Sequence, residues 1–278
     1  MKRTLNCNGK LFVIEQPIVM GILNTTPDSF FDGGKYLTET EILSQAGKMI
    51  SEGASIIDIG GQSTRPKAEL ISVDEELKRV IPVIELVHAK FPDTIISIDT
   101  FRSHVVKKAV NAGASMVNDV SGGTMDTEMF ATVGSMHVPY ILMHMQGTPQ
   151  TMQQNPVYEN VVNEVKQFFL RSLQLLKAAG VNDVILDVGF GFGKNLEHNY
   201  SLLKHLADFS IFDLPILAGM SRKSMINRVL KTTPEQALNG TAVLNTIALI
   251  NGASILRVHD VKEATQAIEL FKQYHAAR

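Results

Sequence analysis

The feature of this 278-residue chain that most constrains its fold is a series of short polar clusters, each directly after an apolar, β-like run. The apolar runs lie at residues 18–23, 55–59, 94–98, 115–117, 140–143, 184–186, 216–218 and 255–256. Several lack polar alternation, as expected for parallel strands that are covered on both faces. Because the carboxyl ends of parallel barrel strands meet at one face, we expect the polar clusters to lie together there.

The segments between these runs show helical periodicity and helix-end signals. Residues 42–50, 77–84 and 161–169 repeat apolar positions at the spacing of one helical face. Glycines end several helical segments just before a strand, the usual place for a C-cap: Gly53, Gly113, Gly180 and Gly252. Capping boxes are predicted at Thr38 with Glu41 and at Asp260 with Glu263, which would open two helices.

Alternating strands and helices fit a doubly wound sheet as well as a barrel. The length favours the barrel, which needs about 250 residues. No GxGxxG loop follows the first run, and the glycines of residues 189–193 have the wrong spacing for dinucleotide binding. We therefore predict a single α/β domain over residues 1–278, a (β/α)8 TIM barrel with a short N-terminal β-hairpin that turns at Asn8 and Gly9.

Composition narrows the classes of partner. The net charge of −2 and the pI near 6.4 argue against a nucleic-acid surface, so a small anionic ligand would be held by local charge. No apolar run is long enough for a membrane span, and no apolar signal segment follows Lys2 and Arg3. The single cysteine, Cys7, cannot form an internal disulfide. We expect a cytoplasmic protein that uses neither nucleic acid nor membrane.

Seven polar clusters occur in the order and register of one known family. They are residues 24–30, 60–66, 97–100, 117–123, 187–194, 221–224 and 257–260. On these motifs the chain resembles dihydropteroate synthase over nearly its whole length. The resemblance implies a barrel that joins 6-hydroxymethyl-7,8-dihydropterin diphosphate to p-aminobenzoate in folate biosynthesis and releases pyrophosphate. It also implies Mg²⁺, a homodimer and a target of sulfonamides.

The residue types fit recognition of a pterin edge, which presents donors and acceptors in one plane. Such an edge needs a carboxylate, an amide and a cation, and Asp187, Asn118 and Lys223 supply one of each after three different strands. Asp99 is a second carboxylate in such a position. Two other interpretations stay open, because Asp99 could cap the following helix and Lys223 could be a solvated helix residue.

The diphosphate end requires positive charge and a metal. Arg257 and His259 follow the last apolar run, where barrels often bind phosphate. By resemblance these two residues bind the diphosphate, and Asn24 contacts Mg²⁺. We expect a reaction of SN1 type, in which Asp99 and Asp187 stabilise a cationic pterin while Lys223, Arg257 and His259 complete the catalytic set.

Two long polar segments, residues 25–37 and 62–72, have the composition of mobile active-site loops. The resemblance assigns Asp28 and Phe30 to the first loop and Ser63, Thr64 and Arg65 to the second. For p-aminobenzoate, Phe190 and Met143 are predicted to flank the ring and Ser224 to bind the carboxylate. Core packing is the simpler interpretation of Met143.

The sequence departs from the family pattern at two places. Val188 stands where proline is usual, which removes a fixed φ angle, and Thr25 stands where valine is common. Two rival functions remain. One is a related barrel that presents methyltetrahydrofolate for methyl transfer to a corrinoid, and the loop motif at 63–66 argues against it. The other is a paralogue that only binds a pterin or a protein partner.

Overall fold

The computed structural model describes residues 3–25, 38–64 and 68–277, and within these ranges it contains a closed barrel of eight parallel strands. The first two strands of the chain form a separate hairpin, so the barrel strands are numbered β3 to β10. They are β3 (Ile18–Asn24), β4 (Ala54–Gly60), β5 (Ile95–Asp99), β6 (Met116–Asp119), β7 (Tyr140–Met143), β8 (Val184–Asp187), β9 (Ile216–Ala218) and β10 (Ile255–Val258). Neighbours in the chain pair in parallel, and β10 closes on β3. The predicted (β/α)8 barrel is confirmed, while a single domain over residues 1–278 stays a prediction.

The hairpin covers the amino-terminal end of the barrel, as predicted. Its strands β1 (Arg3–Cys7) and β2 (Lys10–Ile14) are antiparallel. Asn8 and Gly9 both have positive φ, 54° and 84°, which is the requirement of a two-residue type I′ turn. Leu5, Cys7 and Ile14 are buried against the barrel strands. Burial raises the pKa of the Cys7 thiol to about 12, so this cysteine is an inert packing residue.

Helices surround the barrel in the described ranges. They are α1 (Glu39–Ser51), α2 (Val73–Lys90), α3 (Ser103–Asn111), α4 (Met129–Met136), α5 (Val161–Ala178), α6 (Leu196–Lys204), α7 (Ser224–Leu230), α8 (Leu238–Ile250) and α9 (Val261–Ala276). None of these helices is both long and apolar enough to cross a membrane. The predicted C-cap glycines have the positive φ that this position favours: Gly53, Gly113, Gly180 and Gly252.

One predicted capping box is confirmed and the other is wrong. At α1, the Glu41 N–H donates to Thr38 Oγ1 and the Thr38 N–H donates to Glu41 Oε2 at 2.8 Å. At α9, Asp260 occupies the cap position but its side chain makes no cap hydrogen bond. Its carboxylate accepts from Arg222 Nη2 at 2.6 Å and Nε at 3.0 Å instead. The guanidinium binds both carboxylate oxygens at once with opposite charge, so the long-range partner is preferred to a single main-chain N–H.

The barrel interior has two layers, because every second residue of a strand points to the same side. The lower layer, next to the hairpin, takes one buried apolar residue from each strand: Met20, Ile56, Ile95, Met116, Ile141, Ile185, Leu217 and Ile255. The upper layer takes the residue two positions later, which after β9 lies just beyond the strand: Ile22, Asp58, Ser97, Asn118, Met143, Asp187, Gly219 and Arg257. The polar side chains are therefore gathered at the carboxyl ends of the strands.

Candidate active site

An arginine held between two carboxylates forms the centre of the upper layer. Arg257 on β10 donates from Nε to Asp58 Oδ2 at 2.7 Å and from Nη2 to Asp99 Oδ2 at 2.6 Å. Asp58 also accepts from Asn118 Nδ2 at 3.0 Å. These contacts join side chains from four strands into one buried network, and they use two of the five N–H donors of the guanidinium.

Burial and mutual contact shift the pKa values of the charged groups in this network. Burial raises the pKa of Asp99 to about 7; Arg257 opposes the rise, whereas Asp58, Glu76 and Asp119 add to it. Burial lowers the pKa of Arg257, but the carboxylates of Asp58 and Asp99 outweigh it and hold the pKa above its usual value. The helix-cap interpretation of Asp99 does not hold, because the cap position of α3 is Arg102, and the first helical N–H, that of Ser103, donates to Asp126 Oδ2 at 2.7 Å.

Asp187 lies at the end of β8 beside a glycine-rich loop. Its Oδ1 accepts from the Gly189 N–H at 2.8 Å. Gly189 has φ of +71°, and a Cβ there would lie 2.0 Å from the carbonyl oxygen of His144, so only glycine fits. Burial raises the pKa of Asp187, while Lys223, the Gly189 N–H, Arg257 and Lys194 act to lower it. The carboxylate therefore lies among donors and cations.

Lys223 faces this site and is not a solvated helix residue. It occupies the cap position of α7, and its Nζ donates to the Phe190 carbonyl at 2.5 Å and lies 4.6 Å from the centre of the Phe192 ring. Burial lowers its pKa to about 8, and Asp187 opposes the shift. The upper layer and Lys223 thus bring together carboxylates, an amide and two cations, as a polar planar ligand requires.

Comparison with known proteins identifies the family. The model of the pterin-binding enzyme family matches residues 20–259 of this chain. The dihydropteroate synthase of Escherichia coli strain K12 is 44% identical over 276 residues, which cover 99% of this chain and 97% of that protein. This chain belongs to the dihydropteroate synthase family.

Solved structures agree with this assignment across the whole chain. The dihydropteroate synthase of Yersinia pestis, in complex with a sulfonamide drug, superposes with a TM-score of 0.94 at 42% identity and full coverage of both chains. The enzyme from Xanthomonas albilineans with 4-aminobenzoic acid gives a TM-score of 0.93 at 38% identity, again with full coverage of both chains. The resemblance inferred from the seven motifs is confirmed.

The residues predicted for the aromatic substrate of a dihydropteroate synthase lie in different surroundings. Met143 packs in an apolar cluster with Phe101 and Val120 beside the Phe192 ring. Phe190 is fully buried in the main core, so only its carbonyl faces Lys223. This placement does not favour the predicted contact of the Phe190 ring with p-aminobenzoate. Phe192 is the better candidate, and sequence reasoning missed it.

Ser224 and His259 lie at the carboxyl-terminal face of the barrel. Ser224 is exposed as the first residue of α7. His259 follows β10; its N–H donates to Ser221 Oγ at 3.2 Å, and the same oxygen lies 3.0 Å from His259 Nδ1. Ser221 Oγ therefore contacts both the main chain and the ring of His259, which holds the imidazole at this face.

Positions at the ends of β3 and β4 complete the rim of the site. Asn24 ends β3 and is half-buried, in register with Gly60 of β4, which in turn is in register with Asp99. Thr25 Oγ1 donates to the Gly60 carbonyl, a use for the hydroxyl that valine lacks. Ser63 and Thr64 are half-buried in the loop after β4.

Three predicted loop residues lie outside the described residues: Asp28, Phe30 and Arg65. The departure at Val188 is structurally accommodated, since its side chain is fully buried in the main core.

Asp58 is the other site residue that sequence reasoning missed. It is fully buried, and among the described residues its Oδ1 has no hydrogen-bond partner. The signal was present: an aspartate in the middle of an apolar β-like run must find a partner or a ligand.

Proposed function

We propose that the protein joins 6-hydroxymethyl-7,8-dihydropterin diphosphate to p-aminobenzoate and produces 7,8-dihydropteroate and pyrophosphate. The observation that carries the proposal is the buried network of Asp58, Asn118, Asp99 and Arg257 next to Asp187, in a chain of this family. The relative from Xanthomonas albilineans was solved with 4-aminobenzoic acid, which supports the second substrate.

Pterin recognition falls to Asp187, Asn118 and Lys223. An ionised Asp187 accepts from the 2-amino group and a ring N–H, and Asn118 offers an amide whose NH₂ group is already oriented by Asp58. Lys223 donates to the pterin carbonyl or a ring nitrogen from the opposite side. Its contact with the Phe190 carbonyl holds the ammonium at the site before substrate arrives.

The leaving group is bound above the upper layer, by Arg257 of that layer and by His259 at the rim, together with Mg²⁺. Among the described residues, no three His, Cys, Asp or Glu side chains are grouped to hold a metal ion. A site with few protein ligands still fits Mg²⁺, because this ion usually takes one or two protein oxygens and completes its shell with water and phosphate. The amide oxygen of Asn24, half-buried at the end of β3, would be such a ligand. When bound, the ion neutralises charge on the diphosphate oxygens.

The chemical step is dissociative. The bond from the pterin methylene to the diphosphate oxygen breaks, and pyrophosphate leaves with the electron pair. Asp99 and Asp187 stabilise the cation that develops on the pterin ring. The neutral amine of p-aminobenzoate then attacks the methylene, and its extra proton passes to solvent. No protein nucleophile is required.

The p-aminobenzoate ring would lie between Met143 and Phe192, with its carboxylate near Ser224. Met143 and Phe192 belong to one apolar cluster at the top of the barrel, and the Phe192 ring also touches Lys223. The loops carrying Asp28, Phe30, Ser63, Thr64 and Arg65 would close over both substrates. Sulfonamides should compete for this p-aminobenzoate position.

A homodimer in the cytoplasm is the proposed working form. Val243, Ile247 and Ile250 are exposed along one face of α8, at the spacing of a helical stripe, and α9 beside it exposes Leu270 and Tyr274. A second copy covering this stripe would bury it. Sedimentation velocity at micromolar concentration should give twice the monomer mass, and Ile247→Asp should give the monomer. The free thiol of Cys7 fits a reducing compartment.

A turnover assay tests the function. Purified protein is incubated with the pterin diphosphate, p-aminobenzoate and Mg²⁺, and dihydropteroate and pyrophosphate are quantified by chromatography. One equivalent of each product per turnover is expected, with inhibition by a sulfonamide that p-aminobenzoate relieves. Methyl transfer from methyltetrahydrofolate to a corrinoid, or pterin binding without turnover, would instead support one of the two rival functions.

A further inference from the structure

Two lysines contact the same glycine-rich loop, residues 189–193, from different sides. Lys223 donates to the Phe190 carbonyl at the site, whereas Lys194 donates to the Phe192 carbonyl at 2.9 Å. Lys194 is only 2% exposed, and none of the binding roles described so far uses it. A buried ammonium is costly unless its donors are satisfied, so its position calls for an explanation.

The ammonium of Lys194 is held by three acceptors. Besides the Phe192 carbonyl, it contacts the His144 carbonyl oxygen at 3.1 Å and His144 Nδ1 at 3.0 Å. His144 is itself buried, with its ring edge-on to Phe168 at 5.0 Å. Burial and the Lys194 charge lower the pKa of His144 to about 2, so the imidazole stays neutral and accepts at Nδ1. All three N–H donors of Lys194 are therefore used.

Gly189 lies between this lysine and Asp187. Its N–H donates to Asp187 Oδ1, and a Cβ placed on it would lie 3.2 Å from Lys194 Nζ and 2.0 Å from the His144 carbonyl. The end of the same loop is held from behind, where the Gly193 carbonyl accepts from Tyr158 Oη at 2.7 Å. Lys194 and His144 thus form the back wall of the loop that presents Asp187.

We propose that Lys194 is a positioning residue of the pterin site, which fixes the loop at residues 189–193 against His144 and supplies a second cation behind the Asp187 carboxylate. The proposal rests on the proposed role of Asp187 as a pterin ligand. Lys194 is shielded from substrate by the loop, so it acts through Asp187 and Gly189.

The charge of Lys194 and its hydrogen bonds make separable contributions to pterin binding. Burial lowers the pKa of Lys194 to about 7, with Asp187 opposing and Lys223 adding to the shift. Neutral His144 and partly exposed His198 are the other titratable groups that interact with it. Below that pH the protonated lysine favours the ionised, pterin-binding form of Asp187. Above it the lysine is neutral, and this support disappears.

The experiment measures binding of a plain pterin, without phosphates, by calorimetry at pH 6 and pH 8.5. Lys194→Gln retains N–H donors but no charge, Lys194→Met removes both, and Lys177→Met on the exposed face of α5 is the matched control. At pH 6 both Lys194 variants should bind the pterin about ten-fold more weakly than the parent, because Asp187 loses a cation that favours its ionised form. At pH 8.5 the deficit of Lys194→Gln should shrink to within about two-fold, because the parental lysine is then also neutral.

Comparison within each pH cancels the titration of Asp99, which all variants share. Lys223 is coupled to Lys194, but at pH 6 it is protonated in every variant, and at pH 8.5 the parental Lys194 is neutral as well. A deficit of Lys194→Gln that is equal at both pH values would overturn the charge role and leave only packing. An affinity equal to that of Lys177→Met at both pH values would overturn the proposal altogether. If Lys194→Met does not fold, Lys194→Gln carries the test alone.

Asp187→Asn separates this inference from the proposed function. If Asp187→Asn binds pterin like the parent, the assignment of Asp187 fails, whatever Lys194 does. If Asp187→Asn is weak but Lys194→Gln is not, only the present inference fails. In the double variant the additional loss from Lys194→Gln at pH 6 should be under about two-fold, because the two residues act through one carboxylate.

Discussion

Ile185 and Asp187 lie two residues apart on β8 and point to the same side of the sheet. Ile185 belongs to the lower layer, where eight apolar side chains pack with the hairpin and exclude polar groups. Asp187 belongs to the upper layer, where carboxylates, an amide and an arginine share the same barrel interior. One step of two residues along each strand thus separates a layer that stabilises the fold from a layer that is unfavourable without a ligand.

Several buried polar groups in and next to the upper layer are not fully compensated by the protein. Asp58 Oδ1 and Ser97 Oγ, from adjacent strands in register, have no hydrogen-bond partner among the described residues. Asp99, two residues beyond Ser97 on β5, pairs with Arg257 of this layer, yet burial raises its pKa to about 7. Buried polar groups held without full compensation are typical of sites that wait for a ligand. The apolar packing of the lower layer must therefore offset the unfavourable burial of polar groups in the upper layer.

The largest expected effect concerns stability of the lower layer. Ile185→Ala removes a fully buried side chain and should lower the free energy of unfolding by about 2–5 kcal/mol. Urea unfolding followed by circular dichroism measures this loss. Pterin affinity of the folded variant should stay within about two-fold, less than 0.5 kcal/mol. A large loss of affinity at unchanged stability would show that the two layers are not separate in function.

The matching change in the upper layer is Asp187→Asn, which should act on binding. The amide keeps the size but removes the charge and presents a donor, so pterin binding should weaken by about 2–3 kcal/mol. That is about 30- to 150-fold by calorimetry. Stability should change less than in Ile185→Ala. Unchanged pterin affinity would mean that Asp187 only orders the Gly189 turn.

Much of the division between an apolar lower layer and a polar upper layer could be predicted from the sequence. The residues that sequence reasoning missed have physical causes in common. Polar clusters after apolar runs located the carboxyl-terminal face, because strand direction alone decides that position. Asp58 was missed because a single carboxylate inside an apolar run reveals its partners, Arg257 and Asn118, only after the barrel closes. Local pattern also failed at Asp260, whose partner Arg222 is 38 residues away.

The two phenylalanines of the glycine-rich loop show a different limit. Phe190 and Phe192 occupy equivalent places in a Gly-Phe-Gly-Phe-Gly sequence, so pattern alone cannot say which ring faces the site. In the folded loop, whose three glycines all have positive φ, the Phe190 ring packs in the main core and the Phe192 ring lies 4.6 Å from Lys223 Nζ. Backbone geometry of this kind depends on tertiary contacts.

A smaller effect is expected from Asp58→Asn, which tests the charge balance of the upper layer. The asparagine can still accept from Arg257 and Asn118, so pterin affinity should fall by only about 1 kcal/mol. The charge of Asp58 raises the pKa of Asp99, so its removal should lower that pKa. If ionised Asp99 is required for turnover, the acidic limb of the kcat/KM profile should move to lower pH.

The lowered pKa of Asp99 in Asp58→Asn should also change how the free energy of unfolding depends on pH, in a direction that can be stated in advance. The Asp99 pKa of about 7 in the fold lies above the usual value of about 3.9. The native state therefore binds more protons than the unfolded chain in that window, and stability falls as pH rises through it. Asp58→Asn should lose less stability than the parent between pH 5 and pH 8, as measured by thermal unfolding. An equal or larger loss would contradict the proposed coupling between Asp58 and Asp99.

The smallest expected effect lies above both layers, at His259, and it separates the rim from the upper layer. Its ring and its main-chain N–H both contact Ser221 Oγ. His259→Ala should weaken binding of the pterin diphosphate by about 0.5 kcal/mol, the lower end of the range for one hydrogen bond, because His259 is exposed to solvent. Binding of the plain pterin should stay within error, because the carboxylates and Lys223 are untouched.

Chelation of Mg²⁺ should show the same selectivity, since metal and donor neutralise the same diphosphate. Ser221→Ala, which frees the ring without removing it, should reproduce part of the His259→Ala loss. If His259→Ala weakens binding of plain pterin and of pterin diphosphate equally, the diphosphate is not bound at this rim. The separation of a diphosphate-binding rim from the pterin-binding upper layer would then be wrong.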